Sequence, residues 1–203
     1  MNGTGTAAGR PRTSSRSTIE DAAIELFFEN GYARTTIDQI AQRAGVSRAT
    51  FFNYFGAKSD LLWVELDAAI ERLSAELAAA PAGVPPLAAV REAMLRVASG
   101  IGSDRVPLAL TQDDVMGTTE ETRSSGLARL ARRSDVVAAF LSRRLGRPSD
   151  DLLVLSAANA LSGAISSAWT VWAKAGIGRG PLTGYVVEAF AIVSEGLEVS
   201  LGR

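Results

Sequence analysis

GYARTTIDQIAQRAGVSRATFFNYFGAK, residues 31–58, is the stretch whose reading decides the fold. Ile37, Ile40, Ala41 and Ala44 recur at helical spacing, so Thr36 to Ala44 reads as a short helix with one apolar face. Thr35 or Thr36 is placed to cap it, with Asp38 three residues after Thr35 as a capping box requires. Gly45 supplies the backbone freedom for a sharp corner, and Val46 fills the angle. Ser47 then caps a second, shorter helix carrying Arg48, Ala49, Thr50, Phe52, Asn53 and Tyr54. Two helices joined by so tight a turn make the shape that seats its second helix in the major groove of DNA.

Upstream, Ile19, Ala22, Ala23, Leu26 and Phe27 follow the spacing of an amphipathic helix. Ser17 with Glu20 forms a candidate capping box, and Asn30-Gly31 closes the helix. Residues from about 15 to 58 therefore form a three-helix unit, followed by a long helix that begins near Lys58 and stops at Pro81. Further helices span about Pro86–Ser99, Arg105–Met116 and Thr119–Leu145, the last with Gly126 as an interior weak point. Ser149 or Asp150 caps another that runs to Ala175, and Pro181 opens a final one to Leu201. No stretch alternates with period two, so the chain reads as all-α, with about nine helices.

The runs AAIELFFENGYARTTIDQIAQRAGVS and RATFFNYFGAKSDLL, about 45 residues without a gap, resemble the DNA-binding domain of the tetracycline-repressor (TetR) family of bacterial transcription regulators. The resemblance implies a tail over 1–14, a DNA-binding domain over 15–60 with its helix-turn-helix at about 36–55, and a ligand-binding and dimerisation domain over 61–203. It places Arg48 and Ala49 where the family reads base edges. An arginine can pair with guanine through two hydrogen bonds, and an alanine methyl can meet that of thymine. Thr36, Ser47, Thr50, Tyr54 and Lys58 match positions that hold phosphates, Lys58 near a helix N-terminus that favours them. Asn53 reaches either a base or a phosphate. Phe52 departs from the family's usual tyrosine, so a phosphate hydrogen bond is lost there, and the ring either touches a thymine methyl or packs. Phe51 and Phe55, four apart, are expected to pack inward.

A net charge of −1 excludes a protein that coats nucleic acid through bulk basicity, yet leaves room for a local patch. Residues up to Lys58 carry +2 and the remainder −3, as a small DNA-contacting head on an acidic body would. The Gly/Thr/Ala-rich N-terminus reads as a disordered basic tail in which Arg10 and Arg12 either follow a minor groove or remain solvated. With no Cys and no His, the chain offers no disulfide, thiolate nucleophile, imidazole base or Cys/His metal site. The expectation is a non-enzyme without cofactor or metal, and, as no signal peptide is visible, a cytoplasmic one. Two motif matches carry nothing. Tyr54-x-x-x-Lys58 lacks the glycine-rich nucleotide turn that a dehydrogenase pair needs, and the glycines at 176, 178 and 180 run straight into Pro181.

Leu152–Ala173 holds no charge over 22 residues, long enough to cross a bilayer. Ser156, Asn159, Ser162, Ser166, Ser167 and Thr170 are spread along it, and a buried helix rich in small residues is the stronger reading. The resemblance implies that the last two helices, about 150–175 and 181–201, pair with their copies in a homodimer that presents two recognition helices to a palindromic operator. It also implies a small-molecule cavity among the middle helices, with Trp63, Met94, Met116, Phe140, Asn159, Trp169 and Trp172 as candidate lining residues. For most of these, plain core or dimer interface is the competing reading. The seven arginines from Arg123 to Arg147 read as a solvated helix face, the alternative being a site for an anionic effector such as a coenzyme A ester. Together these readings describe a repressor released from operator DNA by an apolar or amphipathic ligand. The rival is a helical carrier or enzyme that kept the fold without operator binding.

Overall fold

The computed structural model describes residues 12–103, 106–111 and 119–201. Nine α-helices and no strand are found among the described residues. They fall into two compact units: residues up to Leu62 form the first, and those from Trp63 onward, Thr119 excepted, form the second.

In the first unit, α1 (Arg12–Asn30) packs on α2 (Ile37–Arg43), and α2 on α3 (Arg48–Phe52). Ile19, Ala23 and Phe27 of α1, Ile40 and Ala41 of α2 and Phe51 of α3 are all buried and supply the core of this unit. The helix α1 begins at Arg12, ahead of the expected start, so Ser17 lies inside it rather than capping it. No breaker separates residues 12–17 from the apolar run, and an Arg16–Glu20 pair one turn apart supports the extension. Arg10 lies outside the described residues.

The cap of α2 is Thr36, whose hydroxyl accepts from Gln39 N while the Gln39 side chain accepts from Thr36 N. Thr35 is buried instead, donating to the carbonyls of Leu26 and Gly31. The box partner is thus Gln39 and not Asp38. Gly45 has φ +66°, a conformation that strains any residue with a Cβ, and it lets Val46 N return to Ala41 O at 2.9 Å.

The long helix expected from Lys58 starts later. Residues Lys58–Leu62 form a 3-10 turn, and α4 (Val64–Ala78) begins after Trp63. Leu61, Leu62 and Trp63 are all buried, and three successive buried residues do not fit on one side of an α-helix. Asp60 fixes the turn by accepting from Ala57 N at 2.9 Å.

In the second unit, α4 packs on α5 (Pro86–Ser99), α5 on α9 (Leu182–Leu201), and α9 on α8 (Leu152–Lys174). The short α6 (Leu108–Thr111) rests on α8, and α7 (Thr119–Leu145) is tied to α4 and α8 through side chains. Arg105 and residues 112–118, within which a helix to Met116 was expected, lie outside the described residues. The cap of α8 is Asp151, which accepts from Leu153 N and Val154 N, one residue later than the sequence suggests. Pro148 and the Arg147–Asp151 ion pair hold that entry. Gly126 has a packing reason: a Cβ there would lie 3.2 Å from the Trp63 ring. By length and composition α8 passes for a membrane span, but 44% of its apolar window is buried inside the fold.

Candidate nucleic-acid interface and effector cavity

The short helix α3 is rooted by its aromatic residues and exposes the rest. Phe51 is fully buried and stacks at a tilt against buried Phe55, with centroids 5.6 Å apart. Ser47 caps the helix by accepting from Thr50 N at 3.0 Å, and the two hydroxyls share a hydrogen bond of 2.8 Å. This anchoring leaves Ser47, Arg48, Ala49, Phe52 and Asn53 on the outside, with Thr50 and Tyr54 half-buried at the edge. Thr36, the α2 cap, is also exposed.

Arg48 is held before it meets any partner. Its Nη1 donates to Asp38 at 2.7 Å, and its guanidinium lies 5.3 Å from the centroid of the Phe52 ring. Phe52 is 45% exposed and meets Phe51 edge-on. It is therefore a platform under Arg48. Both members of the Arg48–Asp38 pair are more than half exposed, so the pair is worth at most about 1 kcal/mol and can be exchanged cheaply. Sequence reasoning missed Asp38, because a partner ten residues away across a turn has no local spacing rule.

Lys58 is placed otherwise than expected. Its Nζ turns inward and donates to Tyr32 O at 2.8 Å and Thr35 O at 2.9 Å, 4.0 Å from the centroid of the Tyr32 ring. The ammonium thus staples the loop between α1 and α2. On the far side of α2, Arg43 forks onto Glu29 and also reaches Glu25. The hydrogen bond from Arg43 holds the exposed Glu29 carboxyl below its ordinary range. The small stability this lends is present above that range, is lost on acidification, and is screened by salt.

The second unit contains a narrow cavity. Leu66, Ile70 and Leu73 of α4, Met94 of α5, and Ile165 and Trp169 of α8 form most of its wall, with Arg133 of α7 as its charged member. Only about 20 Å³ of it admits the centre of a water molecule, so the space is a tight slot. Of the seven expected lining residues, the structure brings Met94 and Trp169 to this wall. Trp63 instead donates to Ser125 Oγ at 2.7 Å, and Trp172 is fully buried and donates to Gly180 O at 2.9 Å. Phe140 packs in the core under Arg144. Asn159 is exposed, opposite the buried Ala158, Leu161 and Ile165 face, so water satisfies its amide and no pocket partner is needed. Met116 lies outside the described residues.

The arginine run is not one solvated face. Arg129 and Arg133 are buried, and Arg144 donates to the carbonyls of Pro81, Ala82 and Val84 beyond the end of α4. The overlooked signal is that Arg133, Val137, Phe140 and Leu141 follow the i, i+4, i+7, i+8 rule, which puts a charge on an apolar stripe. Burial pulls the Arg133 guanidinium down to about 10, still charged at neutral pH.

Comparison with known proteins agrees with both units. The model of the tetR family of bacterial regulatory proteins matches residues 19–63, and that of the MftR C-terminal domain matches residues 84–198. A Mycobacterium tuberculosis protein, provisionally named mycofactocin biosynthesis transcriptional regulator MftR, is 27% identical over 190 residues, 94% of each chain. The HTH-type transcriptional regulator TcmR of Streptomyces glaucescens is 29% identical over 143 residues, 70% of this chain and 58% of that one. Among solved structures, Thermus thermophilus FadR, a TetR family transcriptional repressor in complex with lauroyl-CoA, has a TM-score of 0.56 at 26% identity. That match covers 90% of this chain and 94% of FadR. The second family model alone spans more than half of the residues, and with the helix-turn-helix match it makes this chain a member of the TetR family of bacterial transcription regulators.

Proposed function

We propose that this protein is a dimeric repressor that binds a palindromic operator through α3 and is released by a small apolar or amphipathic ligand held in the second unit. The observation that carries the DNA reading is the outward face of α3, where Arg48 stands on Phe52, steadied by Asp38 and rooted by Phe51. On DNA, Arg48 exchanges Asp38 for a guanine edge, and Ala49 or Phe52 meets a thymine methyl. Thr36, Ser47, Thr50 and Tyr54 take phosphates, and Asn53 takes a base or a phosphate. Residues 15–60 are then the DNA-binding domain, and 61–203 the sensing and dimerising one. The ligand acts by preferring a conformation whose two heads are badly spaced, so it weakens operator binding by its differential affinity for the two states.

The test is a gel-shift titration on DNA upstream of the protein's own gene, with excess competitor DNA and at two salt concentrations, followed by unbiased DNA selection if that fragment fails. Binding should resist competitor and fall with salt. Arg48→Ala is expected to cost about 1–3 kcal/mol on the selected site and to relax one base position. Unchanged affinity and unchanged sequence preference in that variant would sink this docking.

Dimerisation through α8 and α9 is supported by large apolar side chains left outside the fold on both helices, Leu155 and Val171 on one and Val187 and Ile192 on the other. The double change Val171→Asp with Ile192→Asp buries like charges in that interface. It should halve the mass seen by light scattering and reduce affinity for a two-half-site operator about a hundredfold. A mass unaltered by both substitutions would place the dimer contact elsewhere.

A further inference from the structure

We infer that the cavity of the second unit is a receptor for a singly charged carboxylate on a hydrocarbon body, with Arg133 receiving the carboxylate. This deepens the effector reading above and rests on it for the regulatory consequence alone.

Arg133 is 4% exposed, yet no carboxylate pairs with it among the described residues. One terminal nitrogen, Nη2, donates to Ser162 O at 2.9 Å and to Ser166 Oγ. Among the described residues its buried Nε has no acceptor, and the Oγ of adjoining Ser162 is likewise buried without a partner. A guanidinium that served only to join α7 to α8 would be expected to be satisfied. The same helix shows what a satisfied one looks like: Arg129, one turn earlier, forks onto both oxygens of Asp67 at 2.9 and 2.7 Å. Arg133 has the burial of Arg129 without the counter-charge.

Each orphan group constrains the missing partner. An uncompensated cation in a wall of Leu66, Ile70, Leu73 and Trp169 asks for one negative charge, and an unused N–H asks for an acceptor oxygen. A carboxylate supplies both, with two oxygens that match the guanidinium fork. A dianion such as a phosphate monoester would bring a second charge into a wall whose lining, among the described residues, holds one cation and no other charged side chain. The rest of the lining is hydrocarbon and indole, and flexible Met94 can adapt as the slot opens. Only about 20 Å³ of the slot admits the centre of a water molecule, so the acid's chain enters as the walls part, and a short or medium one asks least of them.

Octanoate is the probe, with 1-octanol and octyl phosphate as matched controls, titrated calorimetrically into the full-length protein. Octanoate should bind at least about tenfold more tightly than either control, as a charge-assisted hydrogen-bonded pair requires. Arg133→Met should remove that preference, leaving 1-octanol equal to or better than octanoate. The variant should also melt no lower than the unsubstituted protein, because a buried, unpaired charge has been replaced by an apolar chain of similar length. If 1-octanol or octyl phosphate binds the unsubstituted protein as well as octanoate does, the carboxylate assignment is overturned. Unchanged octanoate affinity in folded Arg133→Met overturns it too. Octanoate that binds through Arg133 but leaves the operator complex intact upholds the site and rejects its role as the effector pocket.

Discussion

Lys58→Met is expected to weaken binding to every DNA sequence alike, by loosening the head rather than by removing a phosphate contact. In the folded head the Lys58 ammonium holds the carbonyls of Tyr32 and Thr35 and lies against the Tyr32 ring. Hydrogen bonds from a charged donor contribute about 1.5–3 kcal/mol each when little exposed, and a cation over an aromatic face adds about 0.5–1 kcal/mol. Water recovers part of this at the half-buried loop, so a loss of about 3 kcal/mol is the expected scale. A small domain has only about 5 kcal/mol to lose, so a substantial fraction of heads would be unfolded on warming. The measurements are a thermal melt and DNA affinity at two salt concentrations. The staple predicts an earlier melt with the salt slope unaltered. A phosphate contact predicts an unaltered melt with the slope reduced by about one unit, and that pair of results would sink the staple.

The contrast shows what sequence can carry. The helix-turn-helix was legible because its signals are local: the apolar spacing of Ile37, Ile40 and Ala41, the Gly45 corner, and the Ser47 cap. The inward placement of Phe51 and Phe55 followed from their four-residue spacing in the same way. The direction of Lys58 was not legible, since a lysine at a helix entry serves a loop carbonyl or a phosphate equally well, and the chain must close over 26 residues to decide. The start of α4 was misplaced for a similar reason. Lys58–Leu62 is helical in composition, and only the joint burial of Leu61, Leu62 and Trp63 forces the tighter turn.

The cavity was less legible still. Aromatic and methionine side chains fill cores and line pockets alike, so residue type could not separate Trp169, which borders the space, from Trp172, which is sealed beneath Gly180. The charged residues were the better guide. A run of arginines looks like a solvated face until its members are sorted by helical phase, which puts Arg129 and Arg133 on the inner stripe and Arg132 and Arg143 outside.

Asp67→Ala tests what that inner stripe is for. The Asp67 carboxylate takes two hydrogen bonds from Arg129 with both side chains mostly buried, and it also lies 3.7 Å from Arg132. Its removal takes both carboxylate acceptors from the Arg129 fork, whose guanidinium also donates to Ser125 O at 3.2 Å and lies 5.5 Å from the centroid of the Trp63 ring. Breaking a mostly buried pair of this kind costs about 3–5 kcal/mol, which for a unit of this size lowers the melting temperature by about 10 °C. Replacing both partners by apolar residues, as in Asp67→Leu with Arg129→Met, should restore most of that loss, because the desolvation penalty disappears along with the attraction. A melt unmoved by Asp67→Ala would show that the pair is effectively solvated. The informative protein is the restored double variant. The Arg129–Asp67 fork fixes the rotation of α7 against α4, and Arg133 lies one turn further along the same face. With the fork replaced by adaptable side chains, α7 keeps its burial but loses its setting. Octanoate should then bind the double variant more weakly although Arg133 is intact, as expected if the buried pair serves position more than net stability.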